Sequence, residues 1–290
     1  MTDASMNFQA KAPRIPPLIL CIGMPVRDLT FRVPGLPARG SKEHASHFQE
    51  ICGGNALNGA IGIVRLGGRA SICGPMGDAR ETSSRYIFEQ LAHEGIDTSH
   101  IVHMHGLVTP ISNIMIDPSG ERTIVTFRDP ELWKVRLPPA DELLKDCHAI
   151  LTESRCAAFC TDLCAEACRR GIPVVVDVDH AMSLREGLLT ASTHLVFSSE
   201  PLQETAGVGD DGEALKKLAK LTPSFLAAPA ARAARSGLTR MESCRRPLPS
   251  RYTRWTRWAP ATCSTARSPW RSPRGRSCAR PCESPRRPQP

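Results

Sequence analysis

The chain has 290 residues, 41% of them hydrophobic, a size and composition that suit one large α/β domain or two small ones. No apolar run reaches the roughly 18 residues a membrane span needs, and residues 1–17 lack the basic-then-apolar order of a signal peptide, so a cytoplasmic protein with free thiols among its 12 Cys is expected. The net charge of +8 is unevenly spread: residues 228–290 hold 15 Arg, no Lys and only two acids, a net +13, which leaves the rest near −5 and removes the argument for a basic, nucleic-acid-binding body.

Leu18-Ile-Leu-Cys-Ile22 is a continuous apolar run closed by Gly23 and reads as a buried strand. Residues 55–66 carry apolar side chains at helical spacing and stop at Gly67-Gly68. A short strand is predicted over residues 70–73 and a helix over 84–93, ended by Gly95. Two strands around Pro118-Ser-Gly120, at 111–117 and 122–127, read as a hairpin. Beyond it come a strand at 149–151, a helix at 159–170, strands at 173–177 and 194–197, and a helix at 212–221. Such alternation predicts a mainly parallel sheet with helices on both faces, and ligands in such sheets bind at the carboxyl ends of the strands. From Ala228 onward no helical or strand period persists, and the Arg-, Pro- and Ser-rich composition predicts disorder.

Gly53-Gly54-Asn55-Ala56-Leu57-Asn58-Gly59-Ala60 resembles the first signature of the ribokinase-like (PfkB) carbohydrate kinases. Gly23-Met-Pro-Val-Arg-Asp28, Leu66-Gly-Gly68, Gly74-Pro-Met-Gly-Asp78 and residues 173–179 resemble further blocks of that family, in order, from about Leu18 to Leu226. The resemblance implies a three-layer ribokinase-like sandwich over residues 15–227, incomplete at its C-terminus. A small β-sheet lid from residues 29–52 and 111–127 would cover the sugar, and a homodimer through it is implied. It also implies ATP and Mg2+ as cofactors and a small sugar or sugar derivative as the ligand.

Those residue types suit a ring of hydroxyls. Asp28 can accept two hydroxyl hydrogens, Asn58 can donate and accept, and Gly53 and Gly54 let backbone approach closely. Arg128 or Lys42 would meet an anionic end, because the segments 21–37 and 197–201 look most like the sulfofructose kinase branch. Asp177 and Glu200 are expected near the nucleotide and metal, Glu200 through water. Ser198 stands where the family places Asn, and residues 79–82 replace a second Asp and a later Gly. No dedicated metal ligand set is expected.

The family's second signature, Gly-Ala-Gly-Asp, carries the general base and the anion-stabilising backbone N–H groups, and it is absent from the chain. Codons offer a reason. Read from each third base, Trp255 followed by Thr256 forces Asp, and Trp258 followed by Ala259 forces Gly. Neighbouring positions permit Thr-Val-Asp-Thr-Leu-Gly-Ala-Gly-Asp-Val-Phe, with a nucleotide-side Gly turn before it and an Ala-rich helix after it. A single-base shift near residues 227–229 is the resulting hypothesis, and the chain as written is expected to lack kinase activity.

Other patterns carry less. Cys156, Cys160, Cys164 and Cys168 form a tilted stripe on one helix that cannot wrap one ion, and they read as buried packing. The nine His show no ligand spacing, with His44 and His47 expected to reach solvent or sugar. Arg with interleaved Trp in the tail can grip phosphates and stack bases, which keeps nucleic-acid binding as a rival reading. A non-catalytic sugar-binding protein is another.

Overall fold

The computed structural model describes residues 15–228; the expectations for the segment 229–290 lie outside the described residues. β1 (Leu18–Ile22) leads through Gly23 into β2 (Val26–Arg32), β3 (His47–Gly53) and α1 (Asn55–Arg65). β4 (Arg69–Met76), α2 (Thr82–Glu94) and β5 (Asp97–His103) follow, then β6 (Ile111–Ile116) and β7 (Arg122–Phe127). After α3 (Ala140–Leu143) come β8 (Ala149–Glu153), α4 (Ala157–Arg169), β9 (Val174–Val178), β10 (His194–Phe197), α5 (Ser199–Ala206), α6 (Asp211–Leu218) and β11 (Phe225–Ala227).

Seven strands form one sheet in the order β11-β10-β9-β8-β1-β4-β5, and every pairing in it is parallel. Parallel strands buried on both faces read as unbroken apolar runs, which is how Leu18–Ile22 and the valines of β9 read. The second sheet has the order β3-β2-β6-β7, with β2 and β6 parallel and its two outer pairs antiparallel.

Alternation divides the large sheet between two cores. Leu20, Ile22, Ile150, Val174, Val176, Leu195 and Phe197 point to a core closed by α4, α5 and α6. The Cys stripe belongs there: Cys156, Cys160 and Cys164 are fully buried, and all eight cysteines of the described residues are free. Cys21, Ile72 and Met76 point to the opposite core, closed by Ala56, Leu57 and Ala60 of α1 and by Ile87 and Leu91 of α2.

On that second face the cover is partial. Register carries the row of Cys21 and Leu151 on to Val175, His194 and Phe225, and the next row from Glu153 to Asp177, Val196 and Ala227. None of those six β9–β11 side chains belongs to the core that α1 and α2 close, and each is at least partly exposed. Helices were expected on both faces of a sandwich incomplete at its C-terminus; among the described residues one end of one face is bare.

Four elements escaped the sequence reading, among them the single helical turn α3. β5 is half-polar, α5 is only 8 residues long and carries Pro201 in its first turn, and β11 is only 3 residues. None is long enough or periodic enough to announce itself. Conversely β4 extends three residues past the expected strand, because Gly74-Pro75-Met76 continue the pairing with β5.

Candidate functional site

β1 is where the strand order reverses, with β4 and β5 on one side and β8 to β11 on the other. A crevice opens at the carboxyl ends of strands at such a switch point. Gly23 leaves β1 there, its N–H held by the Cys73 carbonyl at 3.0 Å. Glu153, the last residue of β8, lies beside it: a Cβ on Gly23 would come within 2.9 Å of Glu153 Oε1.

Asp28 reaches the same place from the small sheet. It pairs across β2 with Ile51 of β3 and Ser112 of β6. Its carboxylate occupies the space a side chain on Gly53 would need, with Oδ2 only 2.0 Å from where that Cβ would be. Gly53 is therefore required by packing, and Gly54 by backbone: its φ is +99°, and an added Cβ would meet the Met24 carbonyl at 2.5 Å. Gly54 starts α1, and the Asn58 N–H closes the first turn on the Gly54 carbonyl at 2.9 Å. The Asn58 side chain is exposed.

Charge links the two sheets. Burial raises the Asp28 pKa above the ordinary range, while the Ser112 hydroxyl and the Arg128 guanidinium pull it back. Ser112 is further joined to the Thr126 hydroxyl at 3.0 Å. Burial pushes Glu153 up to about 7, and neighbouring Asp179 adds to the rise; Arg128 and Arg155 oppose it and Asp177 reinforces it. Asp177 rises to about 6, from burial first and Asp179 second. Asp179 itself is held by Arg155 Nε at 3.2 Å and by the Ser154 hydroxyl at 3.3 Å. Arg128 is thus the cation that both Asp28 and Glu153 feel across the crevice.

Of the residues singled out in the sequence, Asp28, Gly53 and Arg128 come together, with Gly54 and Asn58 on the adjoining helix start. Asp177 lies one strand further along, opposite Glu153 in register. Glu200 is exposed in the first turn of α5, after β10. Lys42 is exposed in the connection between β2 and β3. The segment from Glu153 to Arg155 was expected at a ligand-facing strand end, but Glu153, only 7% exposed, was given no role there. Its signal was available: an acid that terminates the apolar run Ala149-Ile-Leu-Thr-Glu153 stands where a parallel strand opens to ligand.

A protonated Glu153 can donate a hydrogen bond and an ionised carboxylate can only accept, so Asp28, Glu153, Ser112 and Arg128 supply the mixture of donors and acceptors that a polyhydroxylated molecule needs. The site is an open crevice. Two concavities, of about 490 and 300 Å³, lie along α4 and contain none of these residues. Among the described residues no group of three or more His, Cys, Asp or Glu can hold a metal ion. The described residues alone therefore supply no Mg2+ site, and no step through Mg2+ or ATP follows.

The family model for pfkB carbohydrate kinases matches residues 16–228. A solved structure from Agrobacterium tumefaciens assigned as a ribokinase is 31% identical, with a TM-score of 0.69, over 74% of this chain and 70% of that one. The ribokinase of Arabidopsis thaliana, solved with ribose and ATP, shares the fold with a TM-score of 0.61 at 18% identity, over 74% of this chain and 72% of that one. The 5-dehydro-2-deoxygluconokinase of Geobacillus thermodenitrificans is 30% identical over 151 residues, 48% of this chain and 43% of that relative, so the chain spans under half of that protein's length. With its seven-stranded parallel sheet, its small mixed sheet and this match over most of its described length, the chain has a ribokinase-like α/β fold and belongs to the pfkB family of carbohydrate kinases.

Proposed function

We propose that this chain derives from an ATP-dependent kinase of a sugar hydroxyl, that residues 15–227 retain the sugar-binding part, and that the chain as written does not turn over. The observation that carries the sugar assignment is the meeting of Asp28, Arg128 and Glu153 at the switch point. In this reading Asp28 accepts two hydroxyl hydrogens, Asn58 donates and accepts, and Gly53 and Gly54 offer backbone. Glu153, in its protonated form, donates to a further hydroxyl. Arg128 faces an anionic end of the sugar, as in the sulfofructose kinase branch, and Asp177 and Glu200 lie toward the donor side.

The loss of turnover has a separate ground. A general base and an anion-binding helix start are needed for phosphoryl transfer, and no Gly-Ala-Gly-Asp occurs anywhere in the chain. ATP with Mg2+ would supply the phosphoryl group and neutralise its charge in the unbroken kinase. The bare β9–β11 face supports the frameshift reading: parallel sheets bury both faces, and the shifted frame permits the Ala-rich helix that such a face requires. Residues 228–290 are then out-of-frame translation, the small sheet is a lid through which two copies pair, and the protein works in the cytoplasm.

The deciding experiment measures ADP release by the full-length chain with ATP, Mg2+ and a panel of ketoses and anionic ketoses, alongside calorimetric titration of the same sugars. Sugar binding without turnover is the expected result. Turnover by the 290-residue chain would sink the inactivity claim. The rival sugar-binding role is favoured by the same assembled residues; it gains if the genomic reading frame stands as written. Salt-sensitive DNA binding that disappears on removing residues 228–290 would instead favour the nucleic-acid reading.

A further inference from the structure

Successive residues of a strand face opposite ways, so while Asp28 reaches toward the crevice its neighbour Arg27 leaves the other face of β2. The Arg27 guanidinium donates to one carboxylate oxygen of Glu50 on β3, through Nε at 3.1 Å and a terminal nitrogen at 2.6 Å. Its other terminal nitrogen lies 3.4 Å from the Ser83 hydroxyl, and its Cζ stands 5.2 Å from the centre of the Tyr86 ring. Tyr86 returns to β3 by donating its hydroxyl to the Glu50 carbonyl at 2.8 Å. Arg27, Glu50 and Tyr86 therefore close a ring across β2, β3 and α2. Both charged side chains of the ion pair are mostly shielded from water, 17% and 29% exposed, where such contacts lose less to screening.

A second tether meets the same turns of α2. Glu81 caps the helix by accepting from the Ser83 and Ser84 N–H groups. The Ser84 hydroxyl lies 2.6 Å from that of Thr109, which also accepts from the Gly77 N–H at 3.0 Å. Ser84 and Thr109 are fully buried, and Thr109 stands at the root of β6. Backbone completes the join, since the Arg27 N–H donates to the Pro110 carbonyl at 2.9 Å. α2 is itself anchored in the core by Ile87 and Leu91.

We propose that the first two turns of α2 are the fixed seat of the small sheet, and that Arg27 is the positioning residue that sets where Asp28 stands over the crevice. Arg27 grips from the outer face what Asp28 presents on the inner one. Its effect on sugar affinity rests on the sugar-site reading above; the seat does not.

Hydrogen exchange by mass spectrometry on the full-length chain tests the seat without any ligand. In Arg27→Met, which keeps the side-chain stem, the amides of β2, β3 and β6 are expected to exchange about tenfold faster, while those of β8 and β9 keep their wild-type rates. Arg27→Lys, which keeps the charge, should recover part of that protection, and Tyr86→Phe, which removes only one hydrogen bond, should show a smaller change confined to the same strands. Unchanged exchange in the small sheet, or acceleration spread evenly over both sheets, overturns the proposal. Titration with D-fructose then separates the two readings. If wild type binds and Arg27→Met binds about tenfold more weakly, with Arg27→Lys between, Arg27 positions the site. If wild type does not bind while the exchange pattern holds, the seat stands and the choice of sugar falls. If Arg27→Met binds as tightly as wild type, the positioning role falls.

Discussion

One face of the large sheet is built two ways. Over β1, β4 and β8 it carries α1, whose Ala56, Leu57 and Ala60 are buried against Cys21 and Ile72. Over β9, β10 and β11 the same face presents Val175, Val196 and Phe225 with no described helix above them, and Phe225 is 37% exposed. The strands do not differ in kind: both halves are parallel and both are fully packed on the opposite face. The difference is that α1 packs on one half, while among the described residues no helix packs on the other. The covered half includes the end of the sheet that holds Glu153 beside Gly23, and the bare half begins one strand further on, at Asp177.

The strongest way to break this comparison is to supply the missing cover. On the proposed frameshift reading, restoring the frame after residue 227 should convert a chain expected to lack turnover into an active kinase. A positioned general base alone is worth about 10²–10⁴ in rate, read as ADP release with a bound sugar. A restored chain that stays inactive and leaves the face solvent-accessible would refute the frame explanation.

Packing should differ between the halves next. Leu57→Ala, on α1 and 1% exposed, removes a filled position and should cost about 2–5 kcal/mol in denaturant unfolding. Val196→Ala, on the bare half, should cost less than about 1 kcal/mol, because little surface there is removed from water on folding. Equal losses would mean that the bare half is covered in solution.

The pH dependence sharpens the boundary between the halves. Glu153 titrates near 7 in the folded chain against an ordinary 4.5, and Asp177 near 6 against 3.8. A raised carboxyl means that the folded state holds its proton more tightly than the unfolded one. Its contribution is therefore fully present below the ordinary value and is lost as pH rises through the folded one. Stability should fall between pH 4.5 and 7, by on the order of 3 kcal/mol for Glu153 at most. Glu153→Gln should flatten that slope in denaturant melts taken across the interval. A slope that persists in the variant would assign the effect to another group.

The smallest expected effect is on surface behaviour. Phe225→Ser should lower the binding of a hydrophobic dye and slow aggregation with little change in the unfolding midpoint, since exposed apolar faces and sheet edges drive association.

Much of this was legible before the structure. Leu18–Ile22 ended in glycine and announced a buried strand; the Gly53-Gly54 pair announced a helix start against close backbone; and Asp28 stood two residues into β2, as the ordered blocks required. The Cys stripe read as packing and is packing. Glu153 went unread as a site residue because its meaning depends on β8 lying beside β1, two strands far apart in the chain. Arg27 likewise looks like any charged strand residue until Tyr86 and Glu50 arrive around it.

By itself, then, the sequence determined most of the order of strands and helices, the family signature and the absence of a Gly-Ala-Gly-Asp motif, because periodicity, turn chemistry and motifs are all written within short stretches of chain. Only the tertiary structure decided that Glu153 is buried among charges that hold its proton, that Arg27 is gripped from two elements, and which strands carry no helix on one face among the described residues. Each of those depends on which distant segments meet, and burial and electrostatics have no value until they do.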